Sequence, residues 1–251
     1  MLPYDEYGNR ENPTILLLHG AGVVDTFAQQ YAFSQDFHLV VPHLFGAGKS
    51  VKEIYEPQRQ KEALWELIAS LGKEKIGLMG HSLGAQLAIM LACEKPECFS
   101  FGVFLSPWVN PEEKTQRLYL KLAPMTAEML HWSWLVKLQG LYWHFNEKQI
   151  ADLISCSKQI TAEQYKAFFA HTLHLDDYPQ YNNLQLPMLA ICGSGEVKDM
   201  KRSLVLLAEN PNCKTLILKG TSHDFPMRAA EKLNPVLLDF IRQQSFCLRE
   251  R

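Results

Sequence analysis

Lys75-Ile-Gly-Leu-Met-Gly-His-Ser-Leu-Gly84 is the stretch on which the reading of the chain turns. Lys75 to Met79 is a continuous apolar run, the pattern of a strand buried on both faces. Gly80-His-Ser-Leu-Gly84 follows it as G-x-S-x-G. From Leu83 to Glu94 the chain is apolar on nearly every side and stops before Pro96, as a buried helix does. In strand–turn–helix context the five residues read as a nucleophile elbow. Side chains at the two glycine positions would collide with the neighbouring strand or helix. The turn lifts the Ser82 hydroxyl above the sheet at a helix N-terminus, where free N–H groups favour developing negative charge. The plainer alternative is an N-capping Ser82 at an ordinary βα turn.

Outward from the elbow, similar apolar runs recur: Thr14-Ile-Leu-Leu-Leu18, His38-Leu-Val-Val41, Phe101-Gly-Val-Phe-Leu105, Met188-Leu-Ala-Ile-Cys192 and Thr215-Leu-Ile-Leu218. All are expected to be buried parallel strands. Helical patterns separate most of them. Ala63, Leu64, Leu67, Ile68 and Leu71 form one stripe, and Val236, Leu237, Phe240 and Ile241 form the inner stripe of a last helix. The alternation predicts an α/β fold with a mostly parallel central sheet flanked by helices. Residues 110–185 break the rhythm, being helical in pattern and rich in large aromatics. They read as a helical cap inserted over the C-terminal strand edges, where α/β ligand sites lie. The expected division is 1–109 and 186–251 for the core and 110–185 for the cap.

Composition narrows the function. The 251 residues are 47% hydrophobic and 21% charged, with a formal net charge of -2. That is ordinary for a globular domain and lacks the basic excess of a nucleic-acid binder. Neither a signal peptide nor a bilayer-spanning run is expected, and a cytoplasmic location is expected. The six cysteines show no C-x-x-C spacing and no nearby His pair, so neither metal nor cofactor is expected.

A serine hydroxyl is a weak nucleophile and needs a base. His223 lies in Gly220-Thr-Ser-His-Asp-Phe-Pro226, between the strand 215–218 and the last helix, on the same sheet edge as Ser82. A surface loop histidine is the competing reading. An acid must fix the imidazole tautomer. Glu196 and Asp199 both follow the strand 188–192; Glu196 is closer to the strand end, and Asp199 lies where a helix N-terminus favours an acid anyway. Glu196 is preferred and Asp199 stays open. A tetrahedral intermediate needs N–H donors. Leu83 follows the nucleophile, and Ala21 sits in His19-Gly-Ala-Gly22 after the first strand, with His19 in a structural part. Trp108, after Leu105-Ser-Pro at a strand end, is expected to reach the space above Ser82 and bind substrate.

On Leu18-His-Gly-Ala, Gly-His-Ser-Leu-Gly, the acid loop and His223, the chain resembles the α/β-hydrolase fold superfamily in its small single-domain esterase-like branch. The resemblance covers about residues 12–109 and 186–244. It implies the chain order Ser, acid, His. The family's usual two strands before Thr14 are hard to find in so short a segment, so a sheet of fewer than eight strands is expected.

His43-Leu-Phe-Gly-Ala-Gly-Lys-Ser50 ends like a P-loop, but His43 stands where that motif needs its first glycine, and the stretch follows the second visible strand. It is similar instead to the hydrolase turn D-x-x-G-x-G-x-S, with His43 in place of the acid and Ala47 in place of a frequent His.

The resemblance implies a serine hydrolase of the carboxylesterase type (EC 3.1.1), cleaving a small or medium acyl ester, or a thioester, through an acyl-enzyme. A triad-based lyase or C–C bond hydrolase is the first alternative, and a non-enzymatic ligand receptor on the same fold is the second. A small-molecule acyl substrate is the expected partner, without nucleic acid.

Overall fold

Six of the apolar runs become strands β2 (Thr14–Leu18), β3 (His38–Pro42), β4 (Ile76–His81), β5 (Phe99–Leu105), β6 (Met188–Gly193) and β7 (Cys213–Leu218). All are parallel. β1 (Tyr4–Tyr7) joins them antiparallel to β3, giving the order β1-β3-β2-β4-β5-β6-β7. One strand therefore precedes Thr14, and the sheet has seven strands. β1 is illegible as a strand because its four residues, YDEY, carry no apolar run. The structure is a computed structural model that describes residues 1–247; the last four residues of the 186–251 core segment lie outside the described residues.

The period of two in a strand places alternate residues of β2 on opposite faces. Leu16 and Leu18 join Leu64, Leu67 and Leu87 of α1 (Pro57–Ser70) and α2 (Leu83–Glu94) in one buried cluster. Ile15 and Leu17 join Phe27, Leu237 and Ile241 in the other, built on the 3-10 segment Val24–Gln35 and α9 (Ala230–Cys247). Burying a Leu or Ile side chain contributes about 1.5–3 kcal/mol, so both helical layers are held firmly. α1 starts at Pro57, where the missing N–H costs nothing, and the Glu56 carboxylate accepts the Gln58 and Arg59 amides at 3.1 and 2.7 Å.

One strand differs from expectation. β7 is not buried along its length but forms an edge of the sheet, so Leu216 and Ile217 face outward, 36% and 47% exposed. A run of apolar residues cannot distinguish an edge strand from an interior one.

Between β5 and β6 the chain forms an inserted helical cap: α3 (Glu113–Leu130), α4 (Ser133–Tyr142), α5 (Glu147–Ser157) and α6 (Ala162–Ala170). Capping boxes at Asn146/Gln149 and Thr161/Gln164 start the last two. The cap rests on loops at the C-terminal strand ends. The Phe168 ring fills the space beside Gly46 (φ +81°), Gln164 Nε2 donates to the Val51 carbonyl, and Leu173 bridges to Val109. α7 (Lys198–Leu207) and α8 (Phe225–Arg228) complete the fold. No helix among the described residues is long and apolar enough to cross a membrane.

Candidate active site

Ser82 sits between β4 and α2 with φ +54° and ψ -115°, a conformation that costs a non-glycine residue of order 1–3 kcal/mol. Its surroundings impose that strain. A Cβ at Gly80 would run into the Gly84 carbonyl, and a Cβ at Gly84 into the Leu18 carbonyl. The Ser82 amide donates to Leu105 O at 2.8 Å, anchoring the turn to β5. The Ser82 hydroxyl makes no hydrogen bond to protein among the described residues. Catalytic hydrogen bonds often tighten only when substrate binds.

The loop after β2 turns back on itself. His19 is buried; its Nδ1 bonds the Gly20 carbonyl at 2.7 Å, while Nε2 accepts the Leu44 amide at 3.1 Å. The proton therefore belongs on Nδ1. Burial depresses the His19 pKa to about 4, so the ring stays neutral. The Gly20 amide donates to Thr26 Oγ1 at 3.2 Å, and that hydroxyl donates to Val23 O at 2.7 Å. These bonds hold Ala21 between two fixed ends. Neither the Ala21 nor the Leu83 amide has a protein acceptor among the described residues. Leu83 opens α2, where the first amides have no intrahelical partner.

Glu196 and His223 meet across the loops after β6 and β7. Glu196 Oε2 is 2.9 Å from His223 Nδ1. Glu196 Oε1 accepts the Gly193 amide at 2.6 Å and the Ser106 hydroxyl at 2.8 Å. Burial pushes this carboxyl up. The His223 hydrogen bond and charge, with the Gly193 and Ser106 donors, outweigh burial and leave the pKa below the usual carboxylate range. The carboxylate side chain is 2% exposed and the imidazole 44%, so the pair is covered on the acid side and open on the base side. The two loops are laced together: the Gly195 amide donates to Thr221 O and the Gly220 amide to Ser194 Oγ, both at 2.9 Å.

Asp199 stands apart from this pair. Its Oδ2 accepts the Trp108 indole N–H at 3.3 Å and the Glu112 amide at 3.0 Å. Trp108 itself is buried beneath the cap, edge-on to Tyr119 and Phe169.

Sequence reasoning missed two residues. Ser106, at φ +48° after β5, holds Glu196; the Leu105-Ser-Pro run at a strand end was the available signal. His81, the first variable residue of the elbow, lies 2.8 Å through Nε2 from the His223 carbonyl oxygen. A carbonyl only accepts, so the proton is on Nε2, and the buried Nδ1 has no partner. Burial, then the neighbouring His223, depress the His81 pKa to about 3.

The stretch that resembles a P-loop is a turn. His43 Nε2 meets Asp5 Oδ2 at 3.0 Å, its Nδ1 accepts the Lys49 amide at 3.0 Å, and Lys49 Nζ pairs with Asp5 at 3.2 Å. A Cβ at Gly48 would strike the His43 ring. The lysine is thus turned toward a carboxylate. A cavity of about 560 Å³ opens nearby between Gly22–Asp25, Lys49 and α5, and none of Ser82, Glu196 or His223 lines it.

Comparison with known proteins agrees with this architecture. A family model described as alpha/beta hydrolase fold matches residues 13–233. RutD of Stutzerimonas stutzeri (strain A1501), to which carbamate hydrolysis is ascribed, is 24% identical over 96% of this chain and 97% of its own. Lipase 1 of Psychrobacter immobilis is 31% identical over 38% of this chain and 31% of its own. Among solved structures, a carboxylesterase of Nitrososphaera gargenis superposes with a TM-score of 0.78 at 16% identity, covering 97% of this chain and 94% of that one. MenH from S. aureus gives 0.77 at 18% identity, with 98% and 100% covered.

Proposed function

The chain belongs to the α/β-hydrolase fold family, and on that premise we propose that it is a serine hydrolase with Ser82, His223 and Glu196 as its catalytic triad. The observation that carries the reading is the 2.9 Å contact between Glu196 Oε2 and His223 Nδ1, on loops tied to the strained Ser82 turn through His81. An imidazole with a carboxylate on Nδ1 keeps Nε2 available as a base.

Ser82 Oγ attacks the substrate carbonyl carbon, and His223 Nε2 takes its proton. The oxyanion falls to the Ala21 and Leu83 amides, donors that no protein acceptor competes for. As the tetrahedral species collapses, the C–O bond to the leaving group breaks and His223 returns the proton to it. Water then attacks the acyl-enzyme, giving up a proton to His223, which passes it to Ser82 Oγ as the acid leaves. Glu196 stays ionised throughout and stabilises the imidazolium; its depressed pKa favours this. In this reading Trp108, buried beneath the cap, sets the limit on acyl length.

A carboxylester of small or medium acyl length is the substrate class, with thioesters next. The ascription of carbamate hydrolysis to RutD adds carbamates, whose carbonyl is attacked in the same way. Among the described residues five cysteines are free thiols, which suits a reducing compartment such as the cytoplasm. The test is a panel of chromogenic esters, thioesters and carbamates of graded acyl length, with Ser82→Ala as control. Turnover that vanishes in Ser82→Ala supports the reading. No turnover while Ser82 still takes a covalent probe moves the protein to the lyase or C–C hydrolase alternative. Neither turnover nor labelling leaves the ligand-receptor reading.

A further inference from the structure

The cap carries an apolar face that no part of the described chain covers. On α3, Leu118, Leu122, Met125 and Met129 fall at i, i+4, i+7 and i+11, one stripe of the helix, and all are exposed. On α4, Trp134, Leu138 and Leu141 repeat the i, i+4, i+7 spacing and are exposed by 52–62%. Trp132 and Trp134 stack at the turn that joins the two helices. Scattered single apolar residues are normal on a protein surface; two adjoining helices that both turn such stripes outward mark a docking site.

The charges decide the occupant. Lys121 precedes Leu122 and Lys137 precedes Leu138, about 100° round the helix from that leucine and about 40° beyond the nearest edge of the stripe, so each cation sits on its flank. Lys114 lies on the same flank, and none of the three lysines has an ion-pair partner among the described residues. α3 and α4 together hold four cations, counting Arg117, against two carboxylates. Of those, Glu113 is taken by Arg117, and Glu128 lies 4.0 Å from His131. The chain as a whole is net negative, so this cationic border is local. We infer that the α3–α4 face docks the protein on an anionic lipid surface. Tryptophans settle at headgroup level, lysine stems reach along apolar surface to the phosphates, and leucine and methionine enter the acyl boundary. A second copy docked through the same face would set Lys121 and Lys137 against like charges.

The opposite side of α3 faces the core. Ala123 and Ala127 are buried there, and Tyr119 stacks on Phe169 of α6 beside Trp108. Docking would therefore hold the roof of the candidate site at the lipid boundary. Lipid docking does not depend on the catalytic reading.

The test is flotation of the full chain, and of Ser82→Ala, with vesicles of phosphatidylcholine alone or mixed with phosphatidylglycerol. Both proteins are expected to float with the mixed vesicles, with a blue shift of tryptophan emission. Salt, and the double variant Lys121→Glu/Lys137→Glu, should weaken binding at least tenfold. Trp134→Ser/Leu138→Ser should abolish it. All these positions are exposed, so an unchanged circular dichroism melt certifies the fold of each variant. No flotation with either vesicle overturns the inference. So does flotation that the variants leave unchanged, or a dimer by light scattering that Trp134→Ser/Leu138→Ser dissolves.

Discussion

His81 and His223 are joined by a hydrogen bond of 2.8 Å, from the Nε2–H of the residue before Ser82 to the backbone carbonyl of the proposed base. Two loops distant in sequence are thereby fixed to each other. His81→Phe keeps a buried ring but removes the donor. A hydrogen bond is worth roughly 0.5–1.5 kcal/mol, so a kcat loss of up to about tenfold is expected. KM on a good ester should change little, because substrate binding is not touched. A raised KM with unchanged kcat would assign His81 to the pocket instead.

Glu196 and Asp199 are separated by their partners. Glu196→Gln should lower kcat by about 10³–10⁴-fold, the cost of a lost triad acid, with the fold intact. Asp199→Asn leaves the His223 contact untouched and should change kcat less than threefold. Steady-state kinetics of the two variants decide the assignment, and the reverse ranking would transfer the acid role to Asp199.

Stability should fall in mild acid. The unfolded chain protonates His19 and His81 near pH 6.5, whereas burial delays this in the folded chain to about 4 and about 3. Between these values the unfolded state binds more protons, so each histidine subtracts about 1.4 kcal/mol per pH unit as the pH drops. The stability is fully present above pH 6.5. Denaturant titrations at pH 7, 6 and 5 should show the decline, and His81→Phe should make it shallower. A flat profile from pH 7 to 5 would contradict the buried neutral histidines.

Trp108→Ala should have two effects. Removing a large buried ring costs about 3–5 kcal/mol, visible as a lower melting temperature. If Trp108 limits the acyl pocket, the chain-length optimum should also move to longer esters. An unchanged optimum in a folded variant would make Trp108 a packing residue that serves α3 and Asp199.

Most of the core was legible because buried parallel strands are short apolar runs and because G-x-S-x-G has one steric solution between a strand and a helix. What escaped had no such mark. β1 is too short and too polar, and the exposure of Leu216 and Ile217 depends on which strands pair, which no local pattern records. Glu196 could be preferred over Asp199 on distance from the strand end, but the contact that separates them crosses 27 residues of sequence. Ser106 and His81 act through partners 90 and 142 residues away, so their parts emerge only once the sheet is assembled.

The central claim is that Ser82 is the nucleophile. A fluorophosphonate probe, followed by peptide mass spectrometry, tests it without knowledge of the natural substrate. One adduct per chain is expected, on the peptide carrying Gly80-His-Ser-Leu-Gly84, and it should disappear in Ser82→Ala and slow sharply in His223→Ala. Labelling that persists unchanged in Ser82→Ala, or maps to another residue, would contradict the account.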